Sequence, residues 1–206
     1  MGGRHKRSVR CLRCRMHPDV CVCWAIPSLE VRTRVVLVMH HREAKKVTNT
    51  GVLALSALPS ASIHLWGRRG GADAPPLALP PGPAAVLTPS EDAAVLTPEM
   101  FPTPVTLVVP DGTWRQAMKI PRRVPALAAL PRVVLPPGPP TRYHLREDPR
   151  PHGLATLEAI ARALGILEGA ERGHEVQASL ERLFHAMVEA TLMTRGRLPR
   201  SDTDRG

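Results

Sequence analysis

Residues 105–109, Val-Thr-Leu-Val-Val, form a mainly apolar run that ends abruptly in Pro110-Asp111-Gly112-Thr113-Trp114. A run this short, rich in valine and bounded by turn residues, fits a strand buried on both faces, which requires helices above and below it. The next residues, 115–119, have helical character until Pro121 interrupts them. A strand that ends at an acid and a glycine and feeds into a helix is the kind of junction where open α/β sheets gather ligands. Gly112 allows close backbone approach, Thr113 is placed to cap the helix, and the helix start offers N–H groups to an anion. Taken alone, the tetrapeptide also fits an ordinary turn with Trp114 as packing.

The same pairing of strand and helix recurs along the chain. Residues 31–39 read as a first strand, and His40-His41-Arg42-Glu43 stands at its end. Residues 51–58 have helical spacing, with Asn49 or Thr50 as cap. Further strands are expected at 63–66, 84–87 and 132–135, with a loop rich in Gly, Pro and Arg over 67–83. Ser90-Glu91-Asp92-Ala93 reads as the cap and first turn of a short helix, and 124–130 as another brief helix. Residues 136–140, Pro-Pro-Gly-Pro-Pro, are too stiff for regular structure and long enough to place the segment after them. Leu157, Ile160, Ala161, Leu164 and Leu167 recur at helical spacing, with a cap near Thr156. A last helix is expected over 175–194, with Val176, Leu180, Leu183, Met187 and Val188 on its core face. Strands alternating with helices make an α/β domain with a mainly parallel sheet. Neither GxGxxG, a phosphate loop nor GxSxG occurs, so dinucleotide, ordinary nucleotide and α/β-hydrolase sites lack support.

The 206 residues have room for one ordinary core and a small appendage, and aromatics are only 3%, so that core must be built of Leu, Val and Ala. A net charge of +10 favours a polyanionic partner. Arg4, Lys6, Arg7, Arg10, Arg13 and Arg15 precede His17 with no acid among them. A second basic set runs through Arg115, Lys119, Arg122, Arg123, Arg132, Arg142, Arg146 and Arg150. Two such zones suit a nucleic-acid backbone better than a small acid, although a basic surface can also be merely solvated. No apolar run is long enough to span a bilayer, and the basic N-terminus lacks the apolar core of a secretory signal, so a cytoplasmic location is expected.

All four cysteines fall early, as Cys11-x2-Cys14-x6-Cys21-x-Cys23. Four thiolates complete a tetrahedral zinc shell, and a shell with no open position is structural and not catalytic. His17 lies within the loop and is a competing ligand, while the bland alternative is four reduced thiols. A knuckle of this size has little core of its own, so metal affinity is expected to supply much of its folding energy.

Together, the cysteine pattern, His40-x2-Glu43, Asn49-Thr50-Gly51, Asp111-Gly112-Thr113-Trp114, Tyr143-x-Leu145-Arg146 and Thr156-x-Glu158-Ala159 resemble the DTW-domain family of tRNA-uridine aminocarboxypropyltransferases. The match runs in order from Cys11 to about Met187, and its one visible departure is His41, where the family often has proline. The resemblance implies a SPOUT-like α/β domain with a knotted C-terminal half behind an N-terminal zinc ribbon. The expected organisation is a zinc ribbon over 8–28, the catalytic domain over 29–196 and a disordered tail over 197–206. The implied reaction moves the 3-amino-3-carboxypropyl group of S-adenosylmethionine to N3 of a tRNA uridine, leaving methylthioadenosine.

That chemistry suggests the roles. A uridine N3–H is about as weak an acid as a tyrosine phenol, so its proton must be removed or held as the new bond forms. Asp111 is the first candidate for the base and Glu43 the second. Gly112, Thr113, Trp114, Arg146, Thr156 and Glu158 are the candidates for binding S-adenosylmethionine, Arg146 through the carboxylate of the migrating group and Glu158 through its ammonium. Arg115 is an alternative holder of that carboxylate. Arg7, Arg10, Arg13, Arg115 and Tyr143 are the candidates for RNA, with Trp114 and Tyr143 able to stack on a base. Cys11, Cys14, Cys21 and Cys23 are the expected zinc ligands. Two rival classes stand beside this one: an S-adenosylmethionine-dependent RNA methyltransferase of SPOUT type, and a non-catalytic zinc-ribbon RNA-binding protein.

Overall fold

Short apolar runs form six strands, and every pairing between them is parallel: β1 (Arg34–His40), β2 (Ser62–Trp66), β3 (Ala84–Leu87), β4 (Ala94–Val95), β5 (Thr106–Asp111) and β6 (Arg132–Val134). The computed structural model describes residues 10–46, 49–67, 76–101, 104–141 and 153–195. The spatial order is β2-β1-β5-β3-β6-β4. β1 leads outward to β2 on one side and β5 leads toward β6 on the other, so the chain leaves these two neighbours in opposite directions. That divergence opens a crevice beyond their C-terminal ends, where such sheets hold ligands.

Alternation along the strands sends side chains into two separate cores. On one face Val35, Leu37 and Met39 join Leu107, Val109 and Val133 against α1 (Thr50–Ala57), α4 (Thr156–Leu167) and α5 (Ala170–Thr194). On the other, Val36, Val38, Val86 and Val108 meet Ile120, Val124 and Leu127. These last come from α3 (Ile120–Arg123), which succeeds the four-residue α2 (Trp114–Ala117), from the 3-10 turn Pro125–Leu127, and from Val124 between the two. Because both faces are covered, the central strands read as continuous apolar runs and not as alternating ones. Leu37, fully buried at the centre, is worth about 2–5 kcal/mol against alanine.

Several boundaries differ from the sequence expectation, each for a local reason. β1 begins at Arg34 and not at residue 31, because the N–H groups of Arg32 and Thr33 are taken by the buried carboxylate of Glu168, at 2.9 and 2.8 Å. Residues 90–93 make a turn closed by Ala93 N–H to Ser90 O, and the chain continues as β4 against β6 instead of forming a helix. β5 runs through Pro110 to Asp111, since its pairing with β3 ends at Val108 while that with β1 continues to Met39–Asp111. Pro121 does not end a helix but sits in the first turn of α3, where its missing N–H costs no bond. The brief helix expected over 124–130 reduces to the turn Pro125–Leu127. α5 starts at Ala170, five residues before the expected 175, and its Gly173 explains the close helix hairpin with α4: a Cβ there would lie 2.2 Å from Gly165 O.

The cysteine knuckle is not a detached appendage. Cys14, Met16, Val22 and Ile26 are buried in the same apolar cluster as the sheet and α5. Arg15 Nη1 also donates to Ala44 O at 2.6 Å, tying the knuckle to the loop after β1. The expected tail over 197–206 lies outside the described residues. So does 142–152 of the β6–α4 connection, and the knot stays an expectation of the resemblance.

Candidate active site

Asp111 ends β5 beside Met39 of β1 and is 4% exposed. Its Oδ2 accepts from Asn49 Nδ2 at 2.6 Å, and its Oδ1 accepts from Thr156 Oγ1 at 2.5 Å. Asn49 is the N-cap of α1, its Oδ1 accepting from Val52 N–H at 2.9 Å. Thr156 is the first residue of α4, so the carboxylate lies between two helix N-termini, the ends that favour a negative charge. The two helix starts are also joined directly, through Leu157 N–H donating to Thr50 Oγ1 at 3.3 Å. Gly51 packs between Leu37 and Thr156, where a Cβ would meet a Leu37 methyl at 2.9 Å. Three stretches far apart in sequence thus converge on one buried polar cluster.

Beside this cluster opens a cavity of about 480 Å³, within the range of small-molecule sites. Its walls come from the ends of β3, β5 and β6, the Pro-rich residues 136–140 and the start of α4. Gly112, Trp114, Thr156 and Arg162 line it, among mostly apolar neighbours, while Asp111 is not on the wall and is joined to it through Thr156. Trp114 is 37% exposed and faces this space instead of filling the core. Gly112 serves a close contact: Gln116 folds back onto it, where a Cβ would lie 2.8 Å from Gln116 Cβ. The Gln116 side chain accepts from Thr113 N–H at 2.8 Å, so that N–H is committed to the turn and not offered to an anion.

Glu158 is 6% exposed, and its Oε2 accepts from Ala155 N–H at 2.9 Å and from Thr141 Oγ1 at 2.5 Å. It anchors the start of α4 and fastens the Pro-rich wall of the cavity to it. Ala155, not Thr156, is the N-cap, which leaves the Thr156 hydroxyl for Asp111. Sequence reasoning misses Arg162, because one arginine on an amphipathic helix carries no local signal. It lies along the cavity wall, with Nη2 donating to Pro139 O at 2.7 Å. The sequence marks Asn49 as a cap and as part of the Asn49-Thr50-Gly51 motif; the bond from the nitrogen end of its amide to Asp111 has no sequence signature.

Glu43 is 2% exposed and pairs with Lys46 in the turn beyond β1, where its N–H donates to His40 O at 2.8 Å. With His41 in the chain, that turn closes without a proline. Burial, with His41 beside it, holds the His40 imidazole below its usual pKa, and its Nδ1 accepts from Arg42 N–H at 3.3 Å. Arg115, Arg10 and Arg13 are exposed, and Arg115 is not on the cavity wall. Tyr143, Arg146 and Arg7 lie outside the described residues.

In the knuckle, the sulfurs of Cys11, Cys14, Cys21 and Cys23 all lie within 4.8 Å of one another. The pairs Cys11–Cys23 and Cys14–Cys21 are 3.3 and 3.6 Å apart, near the ~3.8 Å edge of a tetrahedron with ~2.3 Å metal–sulfur bonds. The set can therefore hold a metal ion. Backbone donation from Cys14 is the main influence holding Cys11 down at about 6, while burial first of all pushes Cys23 up to about 12 and raises Cys14. A bound cation would favour the thiolate at all four. His17 does not join them; its Nδ1 accepts from Asp19 N–H at 3.4 Å.

Comparison with known proteins gives a family match across most of the chain. The model of the DTW domain matches residues 8–192. A tRNA-uridine aminocarboxypropyltransferase 2 of Macaca fascicularis is 30% identical over 196 residues, covering 91% of this chain and 65% of the relative. The protein of the same name from Drosophila melanogaster is 31% identical over 195 residues, covering 90% and 76%. A tRNA-uridine aminocarboxypropyltransferase A of Arabidopsis thaliana is 26% identical over 219 residues, covering 89% and 81%. The chain thus spans slightly under two thirds of the macaque relative's length. No solved structure gives a significant match.

Proposed function

The chain belongs to the DTW domain family, and we propose that it transfers the 3-amino-3-carboxypropyl group of S-adenosylmethionine to N3 of a uridine in tRNA, releasing methylthioadenosine. The observation that carries this reading is the meeting of Asn49, Asp111 and Thr156 at the wall of a largely apolar cavity. The cavity size and lining suit an adenosine with a short charged tail, and the names of the similar proteins supply the reaction and the RNA class.

In this reading the N3–Cγ bond forms as the Cγ–sulfur bond breaks, and the electron pair stays on sulfur as a neutral thioether. Thr156 is the group on the cavity wall that reaches Asp111, so its hydroxyl accepts the N3 proton while passing its own to Asp111 Oδ1. Glu43 is the alternative acceptor. Gly112, Trp114 and Thr156, which line the cavity, surround the cofactor, with Thr113 between the first two in the chain, and Glu158 holds the wall at Thr141. Arg162 takes the carboxylate of the migrating group, with Arg146 as a second cation for it. Orientation decides the product: a different pose of the same sulfonium would present its methyl carbon. The four cysteines hold a zinc ion that is structural and has no part in the chemistry.

Mass spectrometry of tRNA nucleosides from a strain lacking the protein tests this assignment. Loss of an aminocarboxypropylated uridine, restored by the wild-type chain, is the expected result; an unchanged nucleoside profile would overturn it. Loss of a methylated nucleoside instead would favour the methyltransferase.

A further inference from the structure

The knuckle presents an aromatic ring that nothing in the proposed chemistry uses. Trp24 is 81% exposed, where a tryptophan ring normally buries most of its surface, and Leu12 is 99% exposed. Each stands one residue after a cysteine of the 3.3 Å Cys11–Cys23 pair. The ring is not on a loose loop. It sits in the 3-10 turn Cys23–Ala25, closed by Ala25 N–H to Val22 O at 3.0 Å and Ile26 N–H to Cys23 O at 3.2 Å. Val22 and Ile26, 2% and 8% exposed, pin both ends of that turn into the core. Arg15, through Ala44 O, fixes the knuckle to the loop after β1 that also carries Glu43. A rigid, outward-facing indole is therefore built into the module joined to the same edge of the sheet as the cavity.

We propose that Trp24 is a stacking platform for an unpaired base of the RNA substrate, with exposed Arg10 and Arg13 holding the phosphates on either side. The inference rests on the tRNA reading above. With four thiolates around a zinc ion the segment 10–24 is close to neutral overall, so what it offers a polyanion is the local pair of exposed cations, Arg10 and Arg13, that share the knuckle with the ring. A protein partner would need a broad apolar patch, whereas a splayed base needs one aromatic face and nearby cations. Stacking is sequence-tolerant and independent of salt, while the arginine contacts are not, so the two contributions separate.

The test uses the zinc-loaded full chain, fluorescently labelled unmodified tRNA transcript, and anisotropy titrations at several salt concentrations. Trp24→Ala is expected to weaken binding about tenfold or more with the slope of log affinity against log salt unchanged. Trp24→Tyr should stay within about threefold of wild type, because a phenol still stacks. Arg10→Gln with Arg13→Gln should instead make the slope shallower. Zinc content and thermal melting of Trp24→Ala should stay close to wild type, as Trp24 is 81% exposed. Wild-type affinity in Trp24→Ala, or an equal loss in Trp24→Tyr, overturns the platform while tRNA-dependent methylthioadenosine release by wild type leaves the functional reading intact. A wild-type chain that binds no tRNA overturns both.

Discussion

Thr156 donates its hydroxyl to Asp111 Oδ1 at 2.5 Å across 45 positions of sequence, and the other oxygen of that carboxylate is held by Asn49 at 2.6 Å. The pair joins the end of a central strand to the start of α4, so the arrangement is both a structural clasp and an acid hydrogen-bonded to a residue of the cavity wall.

Removing only the charge separates these uses. Asp111→Asn keeps shape and one acceptor oxygen, and single-turnover transfer at saturating substrates should fall roughly 10²-fold or more. Turnover within a few-fold of wild type would reduce Asp111 to the clasp and pass the acceptor role to Glu43.

Thr156 is tested from the other side. Thr156→Ser keeps the hydroxyl and should retain most activity, whereas Thr156→Val removes it and should lower transfer by about tenfold or more. Loss of a hydrogen bond to a buried carboxylate should also cost about 1.5–3 kcal/mol of stability, readable in a denaturant melt. Equal activity in the serine and valine variants would remove the hydroxyl from the proton path.

The general architecture is legible because it rests on local signals. Valine-rich runs bounded by turn residues locate the central strands, and periodic apolar spacing locates α4 and α5. Motifs single out Asn49, Asp111, Glu43, Thr156 and Glu158, but not which of them bond to one another. Helix caps obey local rules, so Asn49 and Thr156 read as caps; their tertiary bonds depend on which strand ends lie side by side, which no local pattern encodes. Arg162 escapes sequence reasoning on the same ground. The acidic capping pattern at 90–93 resembles a helix start, while pairing of β4 with β6 decides for a turn.

Arg162 should act on the cofactor. Arg162→Met preserves the aliphatic stem but removes the cation, and is expected to raise KM for S-adenosylmethionine about tenfold, the scale of one charge-assisted bond. An unchanged KM would leave Arg162 as a support for Pro139 alone.

The knuckle should be a metal-dependent part of the fold. Cys21→Ser is expected to lower zinc content and, because Cys14, Met16 and Val22 share the main core, to reduce the melting temperature of the whole chain. Elemental analysis finding no zinc in folded, metal-replete wild-type protein would exclude the ion.

Arg115 of α2, Lys119 at the cap of α3, and Arg122 and Arg123 of α3 are exposed, close in the chain to the cavity residues Trp114, Ala117 and Met118. Replacing Lys119 and Arg122 by Gln should weaken tRNA binding and lower the salt slope by about 1–2, with S-adenosylmethionine affinity unchanged. An unaltered slope would mean that this face does not touch phosphate.

The most direct measurement is of the products themselves. Purified chain, unmodified tRNA transcript and S-adenosylmethionine should release methylthioadenosine in step with aminocarboxypropylated uridine, with neither formed when tRNA is omitted. S-adenosylhomocysteine with a methylated nucleoside, or tRNA bound with no product at all, would contradict the account.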